Sequence, residues 1–368
     1  MGMEDQTRRR FIQKAAALSA APFISTSVTR ALARDSQKKL GWALCGLGSL
    51  STNQIAPALL KTQHARLAGV VTDTPEKAKR WQQQYGIPAK SCYTYATMEK
   101  MAHDKNIDVV YIVTPNALHL EQTQRAAKAG KHVYCEKPME TSAERAQQMI
   151  DACKAADRKL GVAYRCRFEP NNLECVRIAR EKELGALRIV EANFGFPIGD
   201  PNQWRLKRAL SGGGALVDVG IYALQATRYL TGEEPISVFA TETKTDPVKF
   251  AEVDESIVWT AKFPSGVVSS CSTSFAAAGM GNYLVHTERG WFGLEPAYVY
   301  SGIRGRRSDG KEINLPGIDQ FAAEMDDFSR CILEADTSIV SGEEGLRDMK
   351  ILMAIYESAR SGKVVSLA

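Results

Sequence analysis

The chain has 368 residues, of which 44% are apolar and 24% are charged, so it can form two domains with well-buried cores and has the composition of an ordinary globular protein. Past the N-terminus it contains no apolar run long enough to predict a membrane-spanning helix. The formal charge is +5, but five basic and two acidic side chains lie in residues 1–33, which leaves 42 basic and 40 acidic side chains. No basic stripe for nucleic acid is predicted from this near balance.

Residues 1–33 predict a twin-arginine signal peptide. The basic stretch TRRRFI at residues 7–12 precedes an apolar run at residues 15–24, and Ala31-Leu32-Ala33 supplies a small-x-small cleavage site. An unstructured basic tail would explain the arginines but not the apolar run and the cleavage site. We therefore expect a mature chain that starts near Arg34 in the bacterial periplasm, without a membrane anchor after export.

The cysteines and histidines do not predict a metal site. None of the eight cysteines forms a C-x-x-C pair, and the five histidines lack metal-ligand spacing. Several cysteines lie in or beside apolar runs, where a single cysteine behaves as a small hydrophobic residue.

From residue 40 the sequence alternates buried strands with amphipathic helices. Strands are predicted at 40–45, 67–71, 109–113, 132–135 and 160–163, and helices at 52–62, 75–85, 118–129 and 143–156. Repeated β-α units of this kind indicate an α/β Rossmann domain with a doubly wound parallel sheet. We assign residues 34–165 to this dinucleotide-binding domain.

After residue 165 the pattern changes to that of an α+β domain. Alternating strands are predicted at 187–194, 236–243, 256–263, 266–275 and 283–287, with helices at 170–184, 215–230, 319–333 and 344–361. This pattern indicates a large, predominantly antiparallel open sheet. We assign residues 166–368 to a substrate-binding and dimerisation domain.

A glycine turn follows the first strand and begins the first helix. Gly46 and Gly48 allow the backbone to approach a pyrophosphate, which would lie against the helix start at Ser49 and Leu50. A lone G-x-G is a weak motif, and Ser51 occupies the third glycine position. A plain strand–helix turn is the alternative.

The end of the second strand bears on the choice between NAD and NADP. If Thr72 reads the ribose, its hydroxyl and the Lys77 ammonium suit a 2′-phosphate; if Asp73 reads it, the carboxylate favours NAD. We expect NADP.

Two further turns end strands at the same expected edge of the sheet. Thr114-Pro115-Asn116, with His119 three residues later, ends the third predicted strand, and Glu136-Lys137-Pro138 ends the fourth. Lys137 can donate to a sugar hydroxyl there and lower the pKa of a neighbouring acid–base group. A proline turn and a surface lysine would each be an adequate structural explanation.

The stretch SGGGALVDVGIYAL, residues 211–224, supplies the partner groups. Asp218 and Tyr222 are four residues apart, which puts both side chains on one helical face. A phenol, whose ordinary pKa is about 10, needs a nearby cation to act as a base near neutral pH. Lys137 could be that cation, although Tyr222 could equally be a core residue.

The ordered motifs resemble the Gfo/Idh/MocA oxidoreductase family. G-x-G, T-P-N-x-x-H, E-K-P and G-G-x-L-x-D-x-G-x-[HY] occur in the family order, and the resemblance extends to GEEGLRDMKILMAIYESARSGK at residues 342–363. Within the family, YCEKPM, RYLTGEEPI and the leader are most similar to the glucose–fructose and aldose–aldose oxidoreductases. Many relatives have histidine where this chain has Tyr222.

The resemblance implies roles for individual residues. Lys137 would assist catalysis, Asp218 would orient the sugar and Tyr222 would be the acid–base group, with Arg165 also close to the substrate. The Lys137–Pro138 peptide bond would be cis. Further cofactor contacts are implied at Thr72, Lys77, Glu136, Arg165, Trp204 and Arg205.

The expected function is that of an NADP-dependent aldose oxidoreductase. An aldose such as glucose would be oxidised at C1 to a lactone, and a second sugar would be reduced to an alditol by ping-pong on a tightly bound cofactor. A sugar dehydrogenase or reductase with exchangeable NAD(P) and a non-catalytic sugar sensor are the alternatives.

The glucose–fructose enzyme has a long N-terminal arm, but only residues 34–39 separate the cleavage site from the first strand here. We therefore expect a homodimer.

Overall fold

The structure, a computed structural model, describes residues 39–367. The predicted signal peptide, its cleavage site and residues 34–38 lie outside the described residues, and both the signal peptide and the domain boundaries stay predictions. In the part that is described, no helix has the length and apolarity needed to cross a membrane.

The first half forms a six-stranded parallel sheet with the strand order β3-β2-β1-β4-β5-β6. Its strands are β1 (Leu40–Cys45), β2 (Ala65–Val71), β3 (Cys92–Tyr93), β4 (Val109–Ile112), β5 (His132–Glu136) and β6 (Leu160–Ala163). The connecting helices are α1 (Ala56–Leu59), entered through a π-helical turn at Ser51–Ile55, then α2 (Pro75–Tyr85), α3 (His119–Lys128) and α4 (Ala143–Ala155). The Rossmann-type sheet is confirmed.

The second half forms a nine-stranded sheet with the order β14-β13-β12-β11-β7-β10-β9-β8-β15. Its strands are β7 (Leu187–Gly195), β8 (Ser237–Thr243), β9 (Ser256–Lys262), β10 (Val268–Ser274), β11 (Met280–Thr287), β12 (Gly290–Leu294), β13 (Gly305–Arg307), β14 (Glu312–Ile313) and β15 (Val365–Ser366). Neighbouring strands are antiparallel except for β7 and β10, which are parallel. The predicted, predominantly antiparallel sheet is confirmed.

Five α-helices lie in the described part of the second half. They are α5 (Pro170–Glu181), α6 (Arg208–Ser211), α7 (Ile221–Thr231), α8 (Gln320–Leu333) and α9 (Gly342–Ser361), and a π-helical turn at Leu216–Gly220 precedes α7. The predicted helix 170–184 ends earlier, at Glu181, because Lys182 takes a left-handed conformation with φ 52°.

Strand β9 shows how this sheet buries one face. Ile257, Trp259 and Ala261 are buried, whereas Val258 and Thr260, which alternate with them, are exposed. The opposite face therefore exposes apolar side chains of several strands: Ile189, Phe239, Val258, Val268 and Trp291.

Helix α8 packs against the first sheet although it follows the second in the chain. Phe328 of this helix contacts Trp42 and Tyr134, with ring centroids 6.0 Å and 4.9 Å away. Ser329 accepts a 3.0 Å hydrogen bond from the Trp42 indole. This packing places the inner face of α8 behind the ends of β4 and β5.

A buried carboxylate holds the turn that leads into α7. Asp254 accepts hydrogen bonds from the backbone N–H groups of Gly214 and Leu216, at 2.6 Å and 2.8 Å, and from the Tyr356 hydroxyl at 2.6 Å. A Cβ at Gly214 would lie 2.0 Å from the Asp254 carbonyl oxygen, so glycine is required for this approach. The result is a fixed start for the helical segment that carries Asp218 and Tyr222.

Candidate active site

The candidate site lies at the carboxyl edge of the first sheet, where parallel strands present their loops together. The turns after β1, β2, β4 and β5 and the 3₁₀ turn Arg165–Phe168 after β6 all emerge there. They carry most of the residues that the sequence predicted to bind a dinucleotide.

The glycine turn after β1 has the shape that a dinucleotide requires. Gly46 has φ +96°, and a Cβ there would lie 2.6 Å from the Val113 carbonyl oxygen. At Gly48, by contrast, a Cβ would have no atom within 4 Å, so the backbone can be approached from outside. Ser49 and Leu50 begin the helix directly after the turn, and its first N–H groups suit a pyrophosphate.

At the end of β2, the two residues that could bind the ribose 2′ position have different hydrogen-bond partners. The Thr72 hydroxyl accepts a 3.2 Å hydrogen bond from the Thr74 N–H. Asp73 accepts a 3.0 Å hydrogen bond from the Tyr95 N–H, which directs one of its oxygens toward the protein. Lys77 is exposed on the first turn of α2.

The T-P-N turn after β4 is tied to neighbouring loops. His119 is fully buried, and its ring nitrogens lie 3.0 Å from the Thr114 carbonyl oxygen and 3.1 Å from that of Met139. Burial lowers the pKa of His119. Asn116, which follows Pro115, donates a 2.8 Å hydrogen bond to the Ser211 carbonyl. The side chains of His119 and Asn116 thus bind protein groups that position the turns around the site.

Lys137 and Asp218, 81 residues apart in sequence, are in contact. The Lys137 ammonium donates to the Asp218 backbone carbonyl at 2.5 Å and to its Oδ1 at 3.3 Å. It also lies 5.0 Å from the centroid of the Tyr222 ring. The Lys137–Pro138 peptide bond is cis, as the resemblance implied. The structure therefore brings the three predicted catalytic side chains together.

Arg205 completes the surroundings of Asp218. Its Nε donates to Asp218 Oδ2 at 3.1 Å, and its guanidinium lies 4.5 Å from the Trp204 ring centroid. Burial alone would raise the pKa of Asp218, but the Lys137 and Arg205 charges outweigh it and hold that pKa below its ordinary value. Asp218 is therefore a carboxylate shared by two cations. Arg205, which the resemblance assigned to the cofactor, therefore contacts a predicted catalytic residue.

Arg165 is a second cation beside Tyr222. Its guanidinium carbon lies 5.0 Å from the Tyr222 ring centroid and 4.6 Å from that of Tyr300. The guanidinium donates to Gln320 Oε1 at 2.7 Å and to the Tyr298 carbonyl. Burial raises the pKa of Tyr222, and the Arg165 charge acts in the opposite direction.

Several residues around Tyr222 were missed by sequence reasoning. Phe194 packs edge-to-face on its ring, with centroids 5.4 Å apart, and Tyr298 lies 5.8 Å away. Tyr300 and Gln320 hold Arg165. None of these residues lies in a recognisable motif, so only the fold could identify them.

Residues 39–367 contain no group of three or more His, Cys, Asp or Glu side chains placed to hold a metal ion. All eight cysteines are free.

Known proteins match both halves of the chain. The oxidoreductase family with an NAD-binding Rossmann fold, GFO_IDH_MocA, matches residues 40–164, and the GFO/IDH/MocA C-terminal domain matches residues 173–293. The D-xylose 1-dehydrogenase [NADP(+)] of Haloarcula marismortui is 33% identical over 340 residues, which covers 89% of this chain and 92% of that protein. The chain belongs to the Gfo/Idh/MocA oxidoreductase family.

Solved structures agree with this assignment. Aldose–aldose oxidoreductase from Caulobacter crescentus, complexed with glycerol, is 44% identical with a TM-score of 0.87, and the match covers 90% of this chain and all of that one. Levoglucosan dehydrogenase in complex with NADH and L-sorbose has a TM-score of 0.78 at 24% identity, a likeness of fold alone. The chain is therefore an enzyme, an oxidoreductase that binds NAD(P), rather than a non-catalytic sensor.

Proposed function

We propose that this enzyme is an NADP-dependent aldose oxidoreductase that works by ping-pong on a tightly bound cofactor. The contact of Lys137, Asp218 and Tyr222 at the carboxyl edge of the Rossmann sheet carries the proposal. A lysine, a carboxylate and a phenol at one point can bind a sugar hydroxyl and exchange its proton. The 44% identity to the Caulobacter aldose–aldose oxidoreductase supports the same substrate class.

Each side chain has a distinct role in this proposal. The dinucleotide, when bound, takes and returns the hydride. Tyr222 takes the C1 hydroxyl proton as an aldose is oxidised to its lactone, and gives that proton to the carbonyl oxygen as a second sugar is reduced to the alditol. Lys137 and Arg165 supply the positive charge that a phenolate needs, and Asp218 orients the sugar and Lys137.

For NADP rather than NAD, the support comes from the end of β2. The backbone N–H of Tyr95 binds one oxygen of Asp73, while Lys77 is exposed and forms no ion pair among residues 39–367. A 2′-phosphate would meet the Lys77 ammonium and the Thr72 hydroxyl.

Lys77→Ala should weaken binding of NADP by about tenfold or more, because a hydrogen bond to a charged group is lost, and should leave NAD binding nearly unchanged. The measurement is dinucleotide affinity by calorimetry, after mass analysis of the nucleotide that copurifies with the wild type. Lys79→Ala, another exposed lysine of α2, is the control. Equal losses for NAD and NADP would refute the assignment.

Export and cofactor recycling support each other. A periplasmic enzyme that released its NADP would have no maintained pool from which to replace it. A cofactor that stays bound and is reoxidised by a second sugar removes that requirement. Cell fractionation that finds the protein only in the cytoplasm, with residues 1–33 still attached, would count against export.

With glucose alone and no added cofactor, the enzyme should reduce its bound NADP once per site and stop, or use glucose as its own acceptor. Adding a second carbonyl sugar should restore steady turnover, with lactone and alditol formed one for one. Absorbance of the reduced nicotinamide and product chromatography measure both. A strict need for free NADP would favour an exchangeable-cofactor dehydrogenase, the activity named for the Haloarcula relative.

Tyr222→Phe should lower kcat by about 10²–10⁴-fold, the usual contribution of a general acid–base group, and should leave the fold and the bound cofactor intact. Tyr229→Phe, which removes a hydroxyl from the same helix, should keep near wild-type activity. Steady-state kinetics and circular dichroism provide the comparison. A loss of less than tenfold in Tyr222→Phe would assign proton transfer to another group.

We also propose that two copies pair through the open face of the nine-stranded sheet, because it exposes neighbouring apolar side chains. Val258→Asp, on strand β9 of that face, should give monomers in analytical ultracentrifugation. Val248→Asp, an exposed site outside the sheet, is the control and should not change the mass. A wild type that sediments as a monomer would exclude the pairing.

A further inference from the structure

Two buried carboxyl groups lie on either side of one tyrosine hydroxyl behind the candidate site. The Tyr111 hydroxyl oxygen is 2.8 Å from Glu136 Oε1 and 3.2 Å from Glu324 Oε1. Tyr111 and Glu324 are fully buried, and Glu136 is 8% exposed. Glu136 ends β5, directly before Lys137, whereas Glu324 comes from the inner face of α8. No motif in the sequence marks Glu324.

Neither carboxyl group has an ion-pair partner among residues 39–367. The nearby cations have other partners: Lys137 pairs with Asp218, and Arg165 donates to the carbonyls of Tyr298 and Val299 and to Gln320. Two adjacent buried carboxylates without a paired cation would be costly. Consistently, burial raises the pKa of Glu136, and burial together with the Glu136 charge raises the pKa of Glu324 well above its ordinary value.

The number of protons available to Tyr111 and the two carboxyl groups limits the hydrogen bonds that they can form. A tyrosine hydroxyl has a single proton to donate, yet both carboxyl oxygens lie within hydrogen-bond distance of it. The contact to Glu136 is the shorter of the two, and the Lys137 charge beside Glu136 favours the ionised form of that carboxyl group, the stronger acceptor. The contact with Glu324 then forms a hydrogen bond only if Glu324 carries a proton and donates it to the Tyr111 oxygen.

We infer that Glu324 is a positioning residue, a neutral carboxylic acid that donates to Tyr111, which in turn donates to an ionised Glu136. The second oxygen of Glu136 accepts a 3.3 Å hydrogen bond from the Lys137 backbone N–H. The chain of hydrogen bonds therefore runs from α8 to the residue that presents the ammonium to Asp218 and Tyr222. This inference rests on the proposed role of Lys137.

The groups around Glu324 are consistent with one proton in the pair. The titratable groups that face it come from β4, β5 and the turn after β6: Tyr111, Tyr134, Glu136, Arg165 and Cys166. Arg165 is the one cation of this set, so two ionised carboxylates there would exceed the positive charge. One helical turn before Glu324, Gln320 holds Arg165, so α8 orients both cations that flank Tyr222.

The decisive measurement is infrared difference spectroscopy of the purified holoenzyme at pH 7, wild type against Glu324→Gln. The wild type should show a protonated-carboxyl stretching band that the variant lacks. The spectrum needs no turnover, so its result is independent of the sugar chemistry proposed above. If Glu324→Gln removes only carboxylate bands, Glu324 is ionised and the inference is overturned.

Kinetics separate positioning from simple packing. Glu324→Gln keeps a donor toward Tyr111, so it should retain kcat within about twofold and leave the pH profile of kcat unmoved. Glu324→Leu and Tyr111→Phe interrupt the chain and should lower kcat by up to about 100-fold, the cost of a small misplacement of a catalytic group. Thermal denaturation checks that each variant is folded.

Either of two kinetic results would also overturn the inference. One is a Glu324→Gln variant as impaired as Tyr111→Phe, since the donor would then not suffice. The other is a shifted pH profile in Glu324→Gln, because replacing a neutral acid by a neutral amide removes no charge. If Glu324→Leu does not fold, Tyr111→Phe and the infrared comparison still decide the question.

Discussion

The site depends on one contact between the two halves of the chain, that of the Lys137 ammonium with Asp218. Lys137 follows the end of a parallel strand, and Asp218 lies in a π-helical turn of the second half. The ammonium donates to both the Asp218 carboxylate and the Asp218 backbone carbonyl. The first contact offsets the charge of the carboxylate, and the second holds the helical turn in position. Tyr222, one turn later, is thereby placed beneath the same ammonium.

The charges around Tyr222 are not balanced pair by pair. Asp218 is shared by Lys137 and Arg205, whereas Arg165 is buried against carbonyl oxygens and the Gln320 amide rather than a carboxylate. Neutral oxygens satisfy the donors of a guanidinium without cancelling its charge. Arg165 can therefore stabilise negative charge on the phenol, against the effect of burial, which raises the Tyr222 pKa.

Rigid supports behind the site keep these side chains in place. Asp254 binds the start of the helical segment through two backbone N–H groups, and Asn116 links the turn after β4 to the Ser211 carbonyl. Helix α8 packs on the first sheet through Phe328 and holds Arg165 through Gln320. Precise placement matters for the proposed proton transfer, which requires groups within hydrogen-bond distance of each other.

The Rossmann sheet and the second open sheet could be predicted from the sequence, because buried parallel strands and alternating strands are local patterns. The i, i+4 spacing put Asp218 and Tyr222 on one helical face, but it left Tyr222 open as a core residue. The roles of Lys137, Asp218 and Tyr222 came from the family resemblance. Sequence reasoning missed β3 and β12 to β15, most of which are too short to show periodicity. Arg165 and Arg205 were found only through family resemblance, and their contacts with Tyr222 and Asp218 were not foreseen. Tertiary structure alone decided the places of Tyr298, Gln320 and Glu324, because α8 crosses back to the first sheet after more than a hundred residues of the second half. Contacts between segments so distant in sequence leave no periodic trace in either segment.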